Sequence, residues 1–172
     1  MKQHLIFVGL PGSGKSTVGR SVAERVGATF ADLDKVVERQ QGMPIERIFA
    51  ELGEVAFRRM ESEAMGSLLE GDPCVLAPGG GWAAQPGEMD RAKEHGLVVY
   101  LKTMITTAVD RTKMHDYRPL LMSDDPYERM RELLKEREPF YIMAHAEIDN
   151  ASRPIEDVIE EAVVLAHAQA GW

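Results

Sequence analysis

The chain has 172 residues, of which 44% are hydrophobic and 28% charged, and its net charge at pH 7 is −8. This length and composition predict one domain that can bury a hydrophobic core. The negative charge argues against broad nucleic-acid binding, but it does not exclude an anionic substrate, because a few converging arginines can make a positive pocket.

Strand patterns alternate with helix patterns from the first residues onward. Residues 5–8 form a continuous apolar run, typical of a strand buried on both faces. A glycine-rich turn follows, and then an amphipathic helix over 15–26, with Gly27 as its stop signal. Further strands are predicted at 29–31, 75–77, 97–101 and 146–149, and further helices at 35–41, 44–52, 54–69, 88–95, 106–112, 126–137 and from about 154.

This alternation predicts an α/β fold with a parallel sheet and helices on both faces. We see no internal repeat, low-complexity tract or linker in the sequence, so we expect residues 1–172 to form a single domain. The polar loop at 113–125 is long for a compact domain, and such loops are more often functional than accidental.

The chain contains one cysteine, Cys74, so it cannot form an intramolecular disulfide. Its apolar surroundings predict a buried, inert thiol. No apolar stretch is long enough to span a bilayer, and the first residues lack the layout of a signal peptide. We therefore expect a cytoplasmic protein with no membrane partner.

The turn after the first predicted strand matches the phosphate-loop pattern G-x-x-x-x-G-K-[ST] and opens a helix. Glycines let backbone N–H groups turn toward phosphate oxygens, and the helix N-terminus adds partial positive charge. Lys15 can bridge the β- and γ-phosphates, and the Ser16 hydroxyl can ligate Mg²⁺. The pattern with its context outweighs a plain turn with a surface lysine, but GTPases, ATPase motors and metabolite kinases all use it. The candidate ATP-binding residues here are Gly12, Ser13, Gly14, Lys15, Ser16 and Thr17.

Six segments along the chain together resemble the shikimate kinase family, in its order and near its spacing. They are GLPGSGKST at 9–17, DLD at 32–34, GEVAFRRME at 53–61, GGG at 79–81, RPLL at 118–121 and REPFY at 137–141. The resemblance implies a three-layer P-loop kinase fold with five parallel strands in the order 2-3-1-4-5. It also implies a mobile substrate-binding region at 32–62, a lid at 112–125, and transfer of phosphate from ATP to shikimate with Mg²⁺, giving ADP and shikimate 3-phosphate.

Two carboxylates, Asp32 and Asp34, stand where the second predicted strand ends, the edge at which α/β sheets collect ligands. Helix capping would explain one carboxylate, but it explains a pair spaced i, i+2 less naturally. The resemblance implies that Asp34 binds the acceptor hydroxyls and takes a proton. It places Mg²⁺ on Ser16 and, through a water, on Asp32.

Two arginines are candidates for binding the substrate carboxylate. Arg58 and Glu61 share a helix face at i, i+3, a spacing that a plain surface ion pair also uses. The resemblance makes Arg58 a carboxylate ligand oriented by Glu61, and a planar guanidinium suits that role. Arg137 becomes a second ligand only through its match to Arg137-x-x-x-Tyr141.

The resemblance also assigns the glycine run and three arginines. A triple glycine favours a close backbone approach over a merely flexible turn, and the family uses Gly79, Gly80 and Gly81 to contact shikimate and the γ-phosphate. Arg118, in the lid, would stabilise the transferring phosphoryl group, and the catalytic set is Lys15, Asp34 and Arg118. The adenine would lie between Arg111 and the Arg153-Pro154 pair.

Two residues beside the glycines depart from the usual family pattern. Pro78 removes a backbone N–H donor, and Trp82 stands where a small residue is common. Trp82 would shape the acceptor pocket or pack over a neighbouring helix, and packing is favoured.

Three functions remain open: shikimate kinase, a related kinase of another polyhydroxy acid such as gluconate, or a non-catalytic nucleotide switch. A GTPase switch would carry an Asn-Lys-x-Asp motif, which the sequence lacks. The presence of Lys15, Ser16 and Asp34 disfavours a dead enzyme, and two arginines converging with Asp34 favour a carboxylate-bearing acceptor. We expect a monomer, since no large apolar surface helix is evident.

Overall fold

The computed structural model describes residues 1–115 and 123–172, and its centre is one parallel sheet. The strands lie in the order β2-β3-β1-β4-β5, and every neighbouring pair is parallel. This confirms the predicted fold class and strand order. The strands are β1 (His4–Val8), β2 (Phe30–Asp32), β3 (Val75–Ala77), β4 (Gly96–Lys102) and β5 (Ala146–Asp149).

Seven α-helices and one short 3₁₀ helix (Trp82–Ala84) surround the sheet in the described part of the chain. The helices are α1 (Lys15–Val26), α2 (Leu33–Gln41), α3 (Ile45–Leu69), α4 (Glu88–His95), α5 (Ile105–His115), α6 (Pro126–Tyr141) and α7 (Ile155–Gln169). None of them is both long and apolar enough to serve as a membrane span.

The core lies on both faces of the sheet because successive side chains of a strand point in opposite directions. In β1, Leu5 and Phe7 pack with α1 and α7 on one face, whereas Ile6 and Val8 face the cluster built by the other helices. All four are at most 2% exposed. Burying a side chain of this size stabilises the fold by about 1.5–3 kcal/mol, which explains the apolar run from Leu5 to Val8.

Three predicted boundaries differ from the structure. The helices predicted at 44–52 and 54–69 form one segment, α3, bent where Gly53 leaves the helical conformation at φ 83° and ψ 171°. Helix α2 begins at Leu33, so Asp34 lies in its first turn. Helix α6 continues past the predicted end at 137 and contains Pro139, because burial of Tyr141 outweighs the cost of proline inside a helix.

The parallel topology gathers three chain segments at one edge of the sheet. Because β1, β2 and β3 are parallel neighbours, the segments that follow their carboxyl ends leave from the same edge. These segments are the phosphate loop before α1, the start of α2 with Asp34, and the Pro78–Gly81 turn.

Candidate active site

The phosphate loop joins β1 to α1, and Gly12 and Gly14 show why it is rich in glycine. Gly12 has φ 77° and Gly14 has φ 90°, a region that favours glycine strongly. A Cβ atom at Gly12 would also lie 2.4 Å from the carbonyl oxygen of Ala108. Gly14 is the N-cap of α1, so the free N–H groups of the first turn border the loop and form an anion-binding end.

Lys15 is folded against the phosphate loop that contains it. Its Nζ donates hydrogen bonds to the carbonyl oxygens of Gly9 at 2.9 Å and Leu10 at 2.8 Å. The side chain is 8% exposed and lines a cleft beside the loop. The ammonium group is therefore positioned where a phosphate oxygen would meet the loop.

Ser16 and Asp32 bring two hard oxygen ligands together. The Ser16 hydroxyl donates a 2.8 Å hydrogen bond to Oδ2 of Asp32. The other carboxylate oxygen of Asp32 accepts from the backbone N–H of Lys35 at 3.4 Å and caps α2. Asp32 thus has the helix-capping role and also stands beside the predicted metal ligand.

The cleft beside the phosphate loop has a volume of about 400 Å³. It runs from the N-terminus of α1 to the start of α2 and the turn after β3. Its walls include most of the residues predicted for ATP and several predicted for the acceptor. These are Gly12, Gly14, Lys15, Ser16, Thr17, Asp32, Asp34, Gly79, Gly80 and Arg111.

The glycine run after β3 is packed against side chains of the site itself. A Cβ at Gly79 would lie 3.0 Å from Oε1 of Glu61 and 3.3 Å from Oδ1 of Asp34. A Cβ at Gly81 would lie 2.4 Å from Nη2 of Arg58. The close backbone approach predicted for this run is therefore made, in this structure, to the protein's own acidic and basic groups.

Arg58 and Glu61 form an ion pair beside the glycine run. Nη1 of Arg58 donates a 2.7 Å hydrogen bond to Oε2 of Glu61, whose side chain is fully buried. Nη2 of Arg58 lies 3.5 Å from Oε1 of Glu54 on the exposed side. Among the described residues, Nε of Arg58 and Oε1 of Glu61 are buried without a hydrogen-bond partner, so the pair has unused hydrogen-bonding capacity.

The charged groups of the acceptor end lie close enough together to shift one another's pKa. Burial raises the pKa of Glu61 to about 7, Asp34 adds to the rise, and Arg58 and Arg137 oppose it. Burial lowers the pKa of the Arg137 guanidinium, and the nearby Arg58 lowers it further. The predicted acceptor residues are therefore brought together, although they come from three different helices.

Some predicted residues lie elsewhere. Arg153 pairs with Glu161 at 2.5 Å and donates to the Asp157 carbonyl, and the cleft wall near it is formed by Ile155. Pro154 is the N-cap of α7, and Ser13 is fully buried below the loop. Arg118 and the rest of residues 116–122, half of the predicted lid at 112–125, lie outside the described residues.

Trp82 and Asn150 lie beside the site and support it from the core. The Trp82 side chain is fully buried in the hydrophobic core, so its role is packing. Asn150, which the sequence analysis did not select, donates from Nδ2 to the Ser13 carbonyl oxygen at 2.8 Å. Its only sequence signal is its place directly after β5, at the ligand-binding edge of the sheet.

A parallel sheet of this order, with a phosphate loop facing an acidic and basic acceptor pocket, defines a P-loop kinase of small molecules. The family model for shikimate kinase matches residues 11–166. The shikimate kinase of Thermus thermophilus is 41% identical over 167 residues, which cover 95% of this chain and 91% of that protein. That of Caldanaerobacter subterraneus subsp. tengcongensis is 38% identical over 164 residues, 94% of each chain. The chain belongs to the shikimate kinase family.

Solved structures agree with this assignment. Shikimate kinase from Acinetobacter baumannii in complex with shikimate has a TM-score of 0.91 at 35% identity, covering 98% of this chain and 96% of that one. A gluconokinase from Sinorhizobium meliloti has a TM-score of 0.67 at 19% identity, a likeness that shows the fold alone. The findings therefore favour shikimate kinase over the alternatives that the sequence left open.

Proposed function

We propose that this chain transfers the γ-phosphoryl group of ATP to the 3-hydroxyl of shikimate, giving shikimate 3-phosphate and ADP. One observation carries the proposal: Asp34 lines the same cleft as Lys15 and the phosphate loop. Arg58, Arg137 and Asp34 all lie near the buried Glu61 carboxyl and shift its pKa. The cleft would bind phosphate at the loop, Asp34 lies at its other end, and the two arginines lie near Asp34 beyond the cleft wall.

The donor end is built for a triphosphate. Backbone N–H groups from Gly12 to Thr17 would surround the phosphate oxygens, and Lys15 would exchange carbonyl partners for charged ones, which make stronger hydrogen bonds. Nη1 of Arg111 lies 3.3 Å from the Gly12 carbonyl oxygen, at the mouth of the cleft. We propose Arg111, Arg153 and Pro154 for the adenine end, as the family resemblance implies.

The acceptor end suits a ring that carries a carboxylate and hydroxyls. We propose that Arg58 and Arg137 bind the carboxylate, because two guanidinium groups can donate several parallel hydrogen bonds to it. Asp34 would accept hydrogen bonds from the ring hydroxyls. Gly79, Gly80 and Gly81 would present backbone groups to the ring, within residues 32–62 and the turn after β3.

The transfer is an in-line displacement achieved mainly by positioning and charge neutralisation. The acceptor oxygen attacks the γ-phosphorus, the bond from that phosphorus to the β,γ-bridging oxygen breaks, and ADP leaves with the electron pair. The hydroxyl proton passes to the Asp34 carboxylate. We propose that Arg118, in a lid at 112–125, neutralises the charge of the transferring group.

The residues present fit a bound Mg²⁺. The Ser16 hydroxyl and the Asp32 carboxylate are hard oxygen ligands 2.8 Å apart, the type that Mg²⁺ prefers. Within the described residues no group of three His, Cys, Asp or Glu side chains could hold a metal. When bound, Mg²⁺ supplies charge neutralisation at the β- and γ-phosphates, and Ser16 and Asp32 would hold it.

The proposal also covers the domain organisation, partners, oligomeric state and location of the protein. We propose that residues 1–172 act as one kinase domain whose partners are ATP and shikimate, without nucleic acid or membrane. A monomer is favoured because no described helix carries more than two exposed large apolar side chains: α3 has Leu52 and Val55, and α7 has Ile155 and Val164. A cytoplasmic location stays a prediction from the sequence.

A coupled ADP-release assay tests the proposal with shikimate, gluconate or no acceptor. We expect rapid release only with shikimate. Lys15→Ala should nearly abolish turnover, and Asp34→Ala should abolish transfer while ATP still binds in calorimetry. Asp72→Ala, on an exposed turn, is the matched control and should leave the rate unchanged. Full activity of Asp34→Ala, or a preference for gluconate, would contradict the assignment.

A further inference from the structure

Tyr141 connects the two halves of the acceptor end. It is the last residue of α6 and is fully buried, and its hydroxyl donates a 2.5 Å hydrogen bond to the carbonyl oxygen of Gly80. The Arg137 guanidinium, one turn earlier on the same helix face, interacts with the same hydroxyl: burial lowers the pKa of Arg137, and this contact acts against that lowering. A single oxygen atom therefore contacts both the arginine on α6 and the glycine turn after β3.

The chemistry of these groups sets the direction of both hydrogen bonds. A guanidinium can only donate, so the Tyr141 oxygen accepts from Arg137 and its own proton goes to Gly80. Burial raises the pKa of Tyr141 to about 12, so the hydroxyl keeps that proton at neutral pH. Phenylalanine could supply neither bond, although it would fill the same space.

Arg137 depends on this contact more than a surface arginine would. It is only 7% exposed, and within the described residues it makes no ion pair with a carboxylate at 4.0 Å or less. The contact with the Tyr141 hydroxyl and the surrounding packing direct its N–H groups. Without that contact the guanidinium plane would lose its orientation toward an acceptor carboxylate.

Gly80 also contacts the phosphate loop at the donor end of the site. A Cβ at Gly80 would lie 2.6 Å from Cδ of Pro11, so the glycine turn is in direct contact with the phosphate loop. The ring of Tyr141 is held by Tyr100, whose centroid is 5.2 Å away, and the Tyr100 hydroxyl donates to Glu138 at 2.9 Å. Tyr141 is therefore a fixed support rather than a rotating side chain.

We propose that Tyr141 is a positioning residue for phosphoryl transfer: its hydroxyl sets Arg137 and the Gly79–Gly81 turn relative to each other, and hence the acceptor relative to the phosphate loop. It acts through these groups and needs no contact with either substrate. This inference rests on the proposed function of the site.

Tyr141→Phe tests the inference against Tyr100→Phe, which removes the hydroxyl of the stacked partner. Steady-state kinetics should show a rise of about tenfold in KM for shikimate and a several-fold fall in kcat for Tyr141→Phe. KM for ATP should stay within about twofold. Tyr100→Phe should leave all three constants within about twofold, even where thermal unfolding shows comparable loss of stability.

A double-mutant cycle separates positioning from general stability. If Tyr141 acts through Arg137, then adding Tyr141→Phe to Arg137→Ala should raise KM for shikimate little further. Fully multiplicative effects, or a Tyr141→Phe enzyme kinetically equal to Tyr100→Phe, would overturn the inference. Inactivity of the wild-type protein toward shikimate would instead contradict the proposed function, and calorimetric binding of shikimate to the two tyrosine variants then decides the role of Tyr141 independently.

Discussion

Glu61 orients Arg58 through a buried ion pair in which the arginine donates a 2.7 Å hydrogen bond one helical turn along α3. The carboxyl is fully enclosed, and burial raises its pKa to about 7 from an ordinary value of 4.5. A carboxyl that changes charge near neutral pH controls how firmly its arginine is held. The affinity of the acceptor site should therefore depend on pH.

We expect kcat/KM for shikimate to fall as the pH drops below about 7, because Glu61 then takes up a proton and loses its attraction for Arg58. Glu61→Gln should remove this acidic limb and reduce kcat/KM at pH 8 by about tenfold. Rates measured at saturating ATP from about pH 5.5 to 8.5 give the comparison.

The control for this comparison is Glu63→Gln, on the same helix but 73% exposed beside Arg59. It should keep the wild-type profile. Any pH dependence that arises from the ionisation of ATP itself is the same for wild type, Glu61→Gln and Glu63→Gln. Identical profiles for wild type and Glu61→Gln would show that Glu61 does not control the site.

Neighbouring arginines on α3 provide a second test. Arg58→Ala should raise KM for shikimate between about tenfold and a hundredfold, since hydrogen bonds between charged groups contribute about 1.5–3 kcal/mol. KM for ATP should change little. Arg59→Ala should be kinetically silent, because that side chain is 71% exposed and 4.0 Å from its partner Glu63. Equal effects of the two substitutions would place the acceptor elsewhere.

The parts of the molecule that could be predicted from the sequence are those with local signals. An apolar run followed by a glycine-rich turn and Lys15 indicates a strand, a phosphate loop and a helix within a few residues. Arg58 and Glu61 could be paired from their spacing alone. The complete burial of Glu61 could not, because it depends on the approach of Gly79, which belongs to another segment.

Long-range contacts explain the remaining differences. Asn150 reaches Ser13 only because β5 lies beside β4 and β4 beside β1, a neighbourhood that no short motif encodes. Arg153 pairs with Glu161, a carboxylate two turns along α7, which its own sequence neighbourhood did not indicate, and its contact with adenine stays a prediction. Tyr141 was part of a matching segment, yet its bond to Gly80 joins residues 61 positions apart.

Asn150 should support ATP binding without contacting the acceptor. Its 3% exposed side chain donates to Ser13, and its backbone N–H donates to Lys102, so it fastens the phosphate loop to β4. Asn150→Ala should raise KM for ATP about five- to tenfold, the cost of one buried hydrogen bond of about 1 kcal/mol, and leave KM for shikimate unchanged. Asp149→Asn, the exposed neighbour, should behave as wild type in the same assay; a loss confined to shikimate binding would refute this role.

His4, the first residue of β1, should make the fold sensitive to acid. It is 3% exposed, its Nδ1 accepts from the Cys74 backbone N–H at 3.2 Å, and its Nε2 lies 3.2 Å from the Leu69 carbonyl oxygen. Burial lowers its pKa below 6.5, opposed by these backbone contacts and assisted by His95. The unfolded chain therefore binds a proton before the folded one does, and the free energy of unfolding should decrease as the pH falls through 6.5.

His4→Gln separates this proton linkage from the hydrogen bonds. At pH 7.5 the variant should be less stable by about 1–2 kcal/mol, because glutamine reproduces the two backbone contacts imperfectly. The gap should narrow toward pH 5.5, since wild type alone loses up to about 1.4 kcal/mol for each pH unit below the unfolded pKa. Urea unfolding at three pH values measures both quantities, and titration of Glu61 contributes equally to the two proteins. A difference in stability between wild type and His4→Gln that stays constant across these pH values would mean that His4 stabilises the fold only by packing and hydrogen bonding.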